Sequence, residues 1–137
     1  MTIKITIMTP KGIICSTIVD EVILPTLSGE VGILEGHAPL VTGLDTGLLR
    51  MKIEGKWTPM IIVGTGVAEV DQDRVLVLVS EVEEITTLEL SEVSKQLEEA
   101  TAVLNAIAEG IDSKEKLEIY TECKRAFARV DAVKYIS

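Results

Sequence analysis

The only histidine, His37, lies in the stretch GEVGILEGHAPLVTGLDTG, residues 29–47, flanked by Gly36 and Pro39. Nucleophilic catalysis of the Cys–His or Ser–His–Asp kind would have to use it, with Cys15 or Ser28 as the attacking group. No motif around these residues supplies nucleophile, base and orienter together, so no catalytic site is expected. Metal binding fails on inventory: one histidine and two distant cysteines, Cys15 and Cys123, offer no ligand pair at a useful spacing, and the carboxylates form no calcium-loop pattern. Gly64-Thr65-Gly66 follows a strand-like run, as in a dinucleotide-binding turn. The third glycine position holds Glu69 and another strand-like run follows, so a glycine-marked bulge or bend is expected instead. No phosphate-binding G-x-x-x-x-G-K-[ST] loop occurs. The expectation is a chain with no catalytic, metal or nucleotide site and no cofactor. One charged cluster stands out, Lys124, Arg125 and Arg129; it reads either as a solvated face or as a docking surface for an acidic partner.

The elements that must position these groups fall into two parts. Ile3, Ile5 and Ile7 alternate with Thr2, Lys4 and Thr6, the period of a strand with one buried face. IICSTIVDEVILP, LLRMKIEGKW, TPMIIVGTGVAEV and RVLVLVSEVEE continue the series, punctuated by Pro10-Lys11-Gly12, Glu54-Gly55-Lys56 and Asp71-Gln72-Asp73. Short strands at even spacing predict an antiparallel β-sandwich or flattened barrel over residues 1–84. The period then changes. Leu90, Val93, Leu97, Ala100, Leu104 and Ile107 make a helical seam, with Thr86 and Glu89 as a capping box. Gly110 stops that helix, and Asp112 or Ser113 can cap a second, whose seam is Ile119, Cys123, Ala126, Val130 and Val133. Residues 85–137 therefore read as an antiparallel two-helix hairpin.

Composition narrows the partners. Hydrophobic residues make up 47% of 137 but aromatics only 3%, so Val, Ile, Leu and Ala must build the core. A net charge of −9 repels phosphate backbones, and the scarcity of aromatics leaves no stacking platform, so nucleic acid is not an expected partner. MTIKITIMTP resembles neither a secretory signal nor a transit peptide, and no run reaches the roughly 20 apolar residues a membrane span needs. Membrane association, if any, is expected to go through another protein. Two lone thiols suit a reducing compartment.

VILPTLSGEVGILEGHAPLVTGLDTGLLR, residues 22–50, closely resembles the signature region of the ε subunit of F-type ATP synthases. The likeness runs on through GTGVAEV and VLVLV to the ending KRAFARVDA, and so covers essentially the whole chain; that ending looks more like the plastid and cyanobacterial branch than like enterobacterial relatives. The resemblance implies a ten-stranded sandwich followed by two helices, a non-catalytic subunit of the central stalk. It would bind the γ subunit and the membrane rotor ring of c subunits, couple rotation to the catalytic α/β head, and inhibit ATP hydrolysis through the hairpin. Glu30, Gly36, His37, Ala38, Pro39 and Leu40 match family positions at the rotor-ring and γ contacts, within a rigid loop layer shaped by the glycines and prolines from Gly29 to Gly47. Lys124, Arg125 and Arg129 lie where the family meets an acidic loop of the catalytic β subunit. Some members bind ATP through I-D-x-x-R-A; here Leu88 to Val93 stand in its place and Glu92 replaces the arginine, which counts against nucleotide binding. The implied location is the stromal side of a chloroplast thylakoid, otherwise a cyanobacterial thylakoid or the cytoplasmic side of a bacterial inner membrane. Pattern alone supports nearly as well a free-standing sandwich-and-hairpin adaptor for an acidic protein.

Overall fold

A computed structural model describes residues 2–84, 95–102 and 113–132. Alternation becomes pairing from the first strand: in β1 (Ile3–Thr9) the three isoleucines are fully buried and Lys4 is exposed. Seven more strands follow, β2 (Gly12–Val19), β3 (Glu21–Thr26), β4 (Gly29–Ile33), β5 (Leu40–Leu44), β6 (Gly47–Ile53), β7 (Lys56–Asp71) and β8 (Arg74–Glu84). They hydrogen-bond in the order β2-β1-β8-β7-β5-β3-β4, with β6 pairing both β3 and β7. β1 and β8 run parallel, whereas every other pair is antiparallel.

One sheet makes two layers because β7 and β8 turn a corner together. The first arm of β7 pairs with β6, the second with β5, and the β7–β8 register shifts between Val63 and Gly66. Gly64 sits there at φ +85°, in the left-handed region. A Cβ on Gly66 would lie 2.4 Å from the Leu78 carbonyl oxygen, so β8 closes directly on its backbone. Thr46 staples the corner: its hydroxyl accepts from the Gly64 N–H at 2.8 Å and donates to the Gly64 carbonyl at 3.2 Å. The expected glycine bend is thus observed. Strand count differs from the implied ten: there are eight among the described residues, and counting the two arms of β7 and β8 separately restores the larger number.

The turns follow their chemistry. Glu54-Gly55 and Gln72-Asp73 both have positive φ at each central residue, the type I′ geometry that matches strand twist. Between the layers lies an aliphatic core in which Ile5, Ile7, Val22, Leu24, Leu44 and Ile62 are fully buried.

Two helical segments complete the described chain, α1 (95–102) and α2 (Ser113–Ala132). In α1, Leu97 and Ala100 are half-buried while Lys95, Glu98 and Glu99 are exposed, as the seam requires. Leu90, Val93, Leu104, Ile107, Val133, the Thr86 and Glu89 box, the Leu88 to Val93 segment, Gly110 and Asp112 lie outside the residues whose structure is described, while Ser113, the other cap candidate, is the first residue of α2. In α2 the expected seam residues Ile119, Cys123 and Val130 are half-buried and Ala126 is buried, but Ala128 and Ala132 are buried as well. α2 has two inward faces because it packs on the sandwich with a second row of residues, and Ala128 and Ala132 form a cluster with Leu48, Ile61 and Val63 of β6 and β7.

Candidate functional site: the helix seam, a loop end and an apolar row

At the helix seam, small residues bring α2 close. Ala128 and Ala132, one turn apart, let the helix lie on Leu48, Ile61 and Val63, and this approach sets basic residues against the rim of the sheet. Arg129 grips Glu83 with two parallel bonds, Nε donating to Oε2 at 2.7 Å and one terminal nitrogen donating to Oε1 at 2.6 Å; its other nitrogen donates to Gln96 of α1 at 3.2 Å. Arg125 donates to the same Oε1 at 2.9 Å and stands 3.8 Å from Glu81. The Arg129 guanidinium, helped by Arg125, holds the Glu83 carboxyl below its usual range against the opposing effect of burial. Glu83 in turn raises Arg129 above the ordinary arginine value. Lys124 bonds Asp45 in the β5–β6 turn and lies 4.7 Å from the centre of the Tyr120 ring, a cation–π distance. The three cations are therefore neither a solvated face nor free in this structure: each meets an acid of its own sandwich. Periodicity placed them on one helix, but nothing local marks Asp45 and Glu83 as partners, since they are 79 and 46 residues away from Lys124 and Arg129.

The expected loop layer from Gly29 to Gly47 is smaller than its composition implied. Residues 29–33 and 40–44 are strands, leaving a loop of 34–39. The glycines serve close packing in the sheet as much as turning: a Cβ on Gly43 would lie 2.7 Å from Leu27 Cδ1, and one on Gly47 would lie 3.0 Å from Pro25 Cβ. Within the loop, Gly36, Ala38 and Pro39 are exposed, His37 is half-buried and Leu34 is 58% exposed; Leu40, also half-buried, opens β5. Three bonds help to fix its shape. The Gly36 N–H donates to Asp73 Oδ1 at 2.7 Å, tying it to the β7–β8 turn; the His37 N–H donates to the Leu34 carbonyl at 3.1 Å; and His37 Nδ1 donates to the Ala38 carbonyl at 2.7 Å. Glu30 does not join this group. It stands near the start of β4, the far end from the loop, ion-paired to Arg50 and lining a cleft of about 270 Å³ with Lys124 and Phe127 of α2.

A third surface escaped the sequence reading. Register aligns Ile13, Met8, Leu78, Val67 and Gly43 across β2, β1, β8, β7 and β5 on the outer face, and Leu27 folds over Gly43. Ile13 is 63% exposed, Leu27 66%, Leu78 46% and Val67 45%, an apolar row open to solvent. Contiguous exposed apolar surface is a common feature of contacts with other proteins. The signal was present in IICSTIV and RVLVLV, which are apolar at positions of both parities where a half-solvated strand should alternate.

Comparison with known proteins gives one answer. Residues 2–85 match the family model described as ATP synthase, Delta/Epsilon chain, beta-sandwich domain. The chain is 52% identical over 137 residues to the chloroplastic ATP synthase epsilon chain of Phaeodactylum tricornutum, covering all of both chains. It is 39% identical to that of Gracilaria tenuistipitata var. liui, covering 100% of this chain and 99% of the relative. Among solved structures, a chain of the Euglena gracilis mitochondrial ATP synthase, described as OSCP/F1/c-ring in rotational state 1, superimposes with a TM-score of 0.76 over 96% of this chain and 81% of that one; at 23% identity the likeness is one of fold.

Proposed function

The chain belongs to the ATP synthase delta/epsilon chain family, and from that premise we propose that it is the ε subunit of a chloroplast-type F-type ATP synthase, a non-catalytic part of the central stalk. The observation that carries this reading is full-length similarity to chloroplastic epsilon chains, through the helical ending as well as the sandwich. On this reading residues 1–84 are the rotor-binding domain and 85–137 the regulatory hairpin. The loop bearing Gly36, His37, Ala38, Pro39 and Leu40, pre-shaped by its tie to Asp73, meets the c-subunit ring or the foot of γ with little entropy left to lose. Glu30 makes a separate contact from the opposite end of β4. The apolar row on the outer face supports γ binding. The chain reaches the stromal thylakoid surface through the complex; among the described residues no helix is long and apolar enough to cross a membrane.

Restraint of ATP hydrolysis belongs to the hairpin. Lys124, Arg125 and Arg129 hold Asp45 and Glu83 when α2 lies on the sandwich, and the same cations meet an acidic loop of the catalytic β subunit when it leaves. The two engagements exclude one another because a guanidinium fork has one set of donors. The test is ATP hydrolysis by an ε-depleted synthase head, with this protein titrated back at full length and truncated after Glu84. Inhibition by the full chain and none by the truncation is expected; no effect from either would remove the reading. Replacing Lys124, Arg125 and Arg129 together by alanine is expected to leave assembly intact and raise hydrolysis, whereas Glu83→Gln, which loosens Arg125 and Arg129 without removing them, lowers it.

A further inference from the structure

The sheet ends at β2 on one side and β4 on the other, and the two edges are built differently. β4 is five residues long and carries two glycines and the charged Glu30, features that discourage pairing with another chain. β2 is eight residues, GIICSTIV, without a charge or a proline. Among the described residues a register shift opposite Ile7 and Met8 blunts it at one end, and the β6–β7 turn, bonded to Asp20, abuts the other; between them runs a straight stretch from Cys15 to Val19.

The direction of the backbone groups on that run follows from β1. The Lys4 N–H donates to the Asp73 carbonyl at 3.0 Å, on the β8 side. Neighbouring amides in a strand point to opposite sides, so Ile3, Ile5 and Ile7 turn toward β2 and pair with Val19, Thr17 and Cys15. Ser16 and Ile18, opposite Thr6 and Lys4, therefore aim their N–H and C=O groups outward, past the last strand. Both residues are exposed, Ile18 at 53%.

From this we infer that β2 is a docking edge that accepts a short extended segment of a partner protein by strand addition, with Ser16 and Ile18 supplying the ladder bonds. A row of outward donors and acceptors spaced two residues apart is matched by another strand and by no other secondary structure. The segment carries apolar side chains at alternate positions, because Ile18 and the apolar row starting at Ile13 lie on the face those side chains would continue. It carries acid at its ends. Lys4 stands beside Ile18 and Lys11 just before Gly12, both exposed, so two cations lie along the edge of a chain whose net charge is −9, while Asp20, which follows Val19, accepts from the Gly55 N–H. That same net charge disfavours a second copy of this chain as the occupant. The inference does not depend on which complex the chain joins.

The probe is a seven-residue peptide alternating valine and threonine between terminal aspartates, titrated into the isotope-labelled full chain. Amide exchange at Ser16 and Ile18 is expected to slow about tenfold or more while the amides of Ile5 and Ile7 change little. Ser16→Pro removes only an outward N–H, so the β1–β2 ladder survives; it is expected to abolish the slowing, and Ser16→Ala to keep it. A peptide that binds Ser16→Pro as well as it binds the unmodified chain would overturn the inference. So would shifts at Val67 and Leu78 without amide protection, which mean packing on the face; protection that grows with protein concentration before peptide is added, which means pairing with a second copy; or no protection at millimolar peptide.

Discussion

The core between the sandwich layers and the seam beneath α2 are both buried, yet they are held by different forces. In the core, Ile5, Leu24, Leu44 and Ile62 lose all contact with water and no charge enters. In the seam, two alanines and three aliphatic residues give a thin apolar contact, and an acid clasped by two arginines supplies much of the specificity. Aliphatic packing fails only when the whole sheet opens. A charged clasp on a thin contact can be undone by a competing acid, by salt or by protonation, with the sandwich left standing.

The largest expected effect breaks the first region. Leu24→Ala empties a fully buried site and is expected to cost about 2–5 kcal/mol of global stability, read as a lowered midpoint in urea. Glu83→Gln strikes the second. Losing one partner of a half-buried charged clasp is expected to weaken α2 docking by about 1–3 kcal/mol. Faster amide exchange at Ala128 and Ala132, with the β1 amides unchanged, would register this; an equal change in both would deny that the seam opens independently. Acid sharpens the contrast by degrees. Because Glu83 is held below its ordinary range in the folded chain, its contribution is fully present above that range and is lost as pH falls through the lowered value. The Ala128 methyl resonance is expected to shift in that acidic window before that of Ile62 moves. Lys124→Ala should matter least, about 0–1 kcal/mol of docking, since Lys124 and Asp45 are each about 30% exposed and screened by water.

How far each region could be read from sequence follows from the same difference. Period-two alternation marks Ile3, Ile5 and Ile7, and glycine marks the corner at Gly64, because those signals are local. The overreading of residues 29–47 as a loop layer came from treating glycine as a turn former; Gly43 and Gly47 are instead positions where Leu27 and Pro25 crowd a strand. The helical period found one face of α2. It could not find the second, since Ala128 and Ala132 are indifferent in pattern and acquire meaning only from Leu48, Ile61 and Val63 beneath them. The pairing of Arg129 with Glu83 is a fact of tertiary geometry that no spacing announces.

The shared corner of β7 and β8 has a mechanical side. Two sheets merely stacked on each other resist sliding only through side-chain contacts, much as cards in a deck do. Here two covalent strands pass from one layer to the other around Gly64 and Gly66, pinned by Thr46, so shear between the layers would have to stretch backbone. Under the stalk role proposed above, such a build is an advantage. Twisting load entering one layer is handed to the other along the chain itself, and the piece behaves as a stiff folded bracket instead of a slipping clutch.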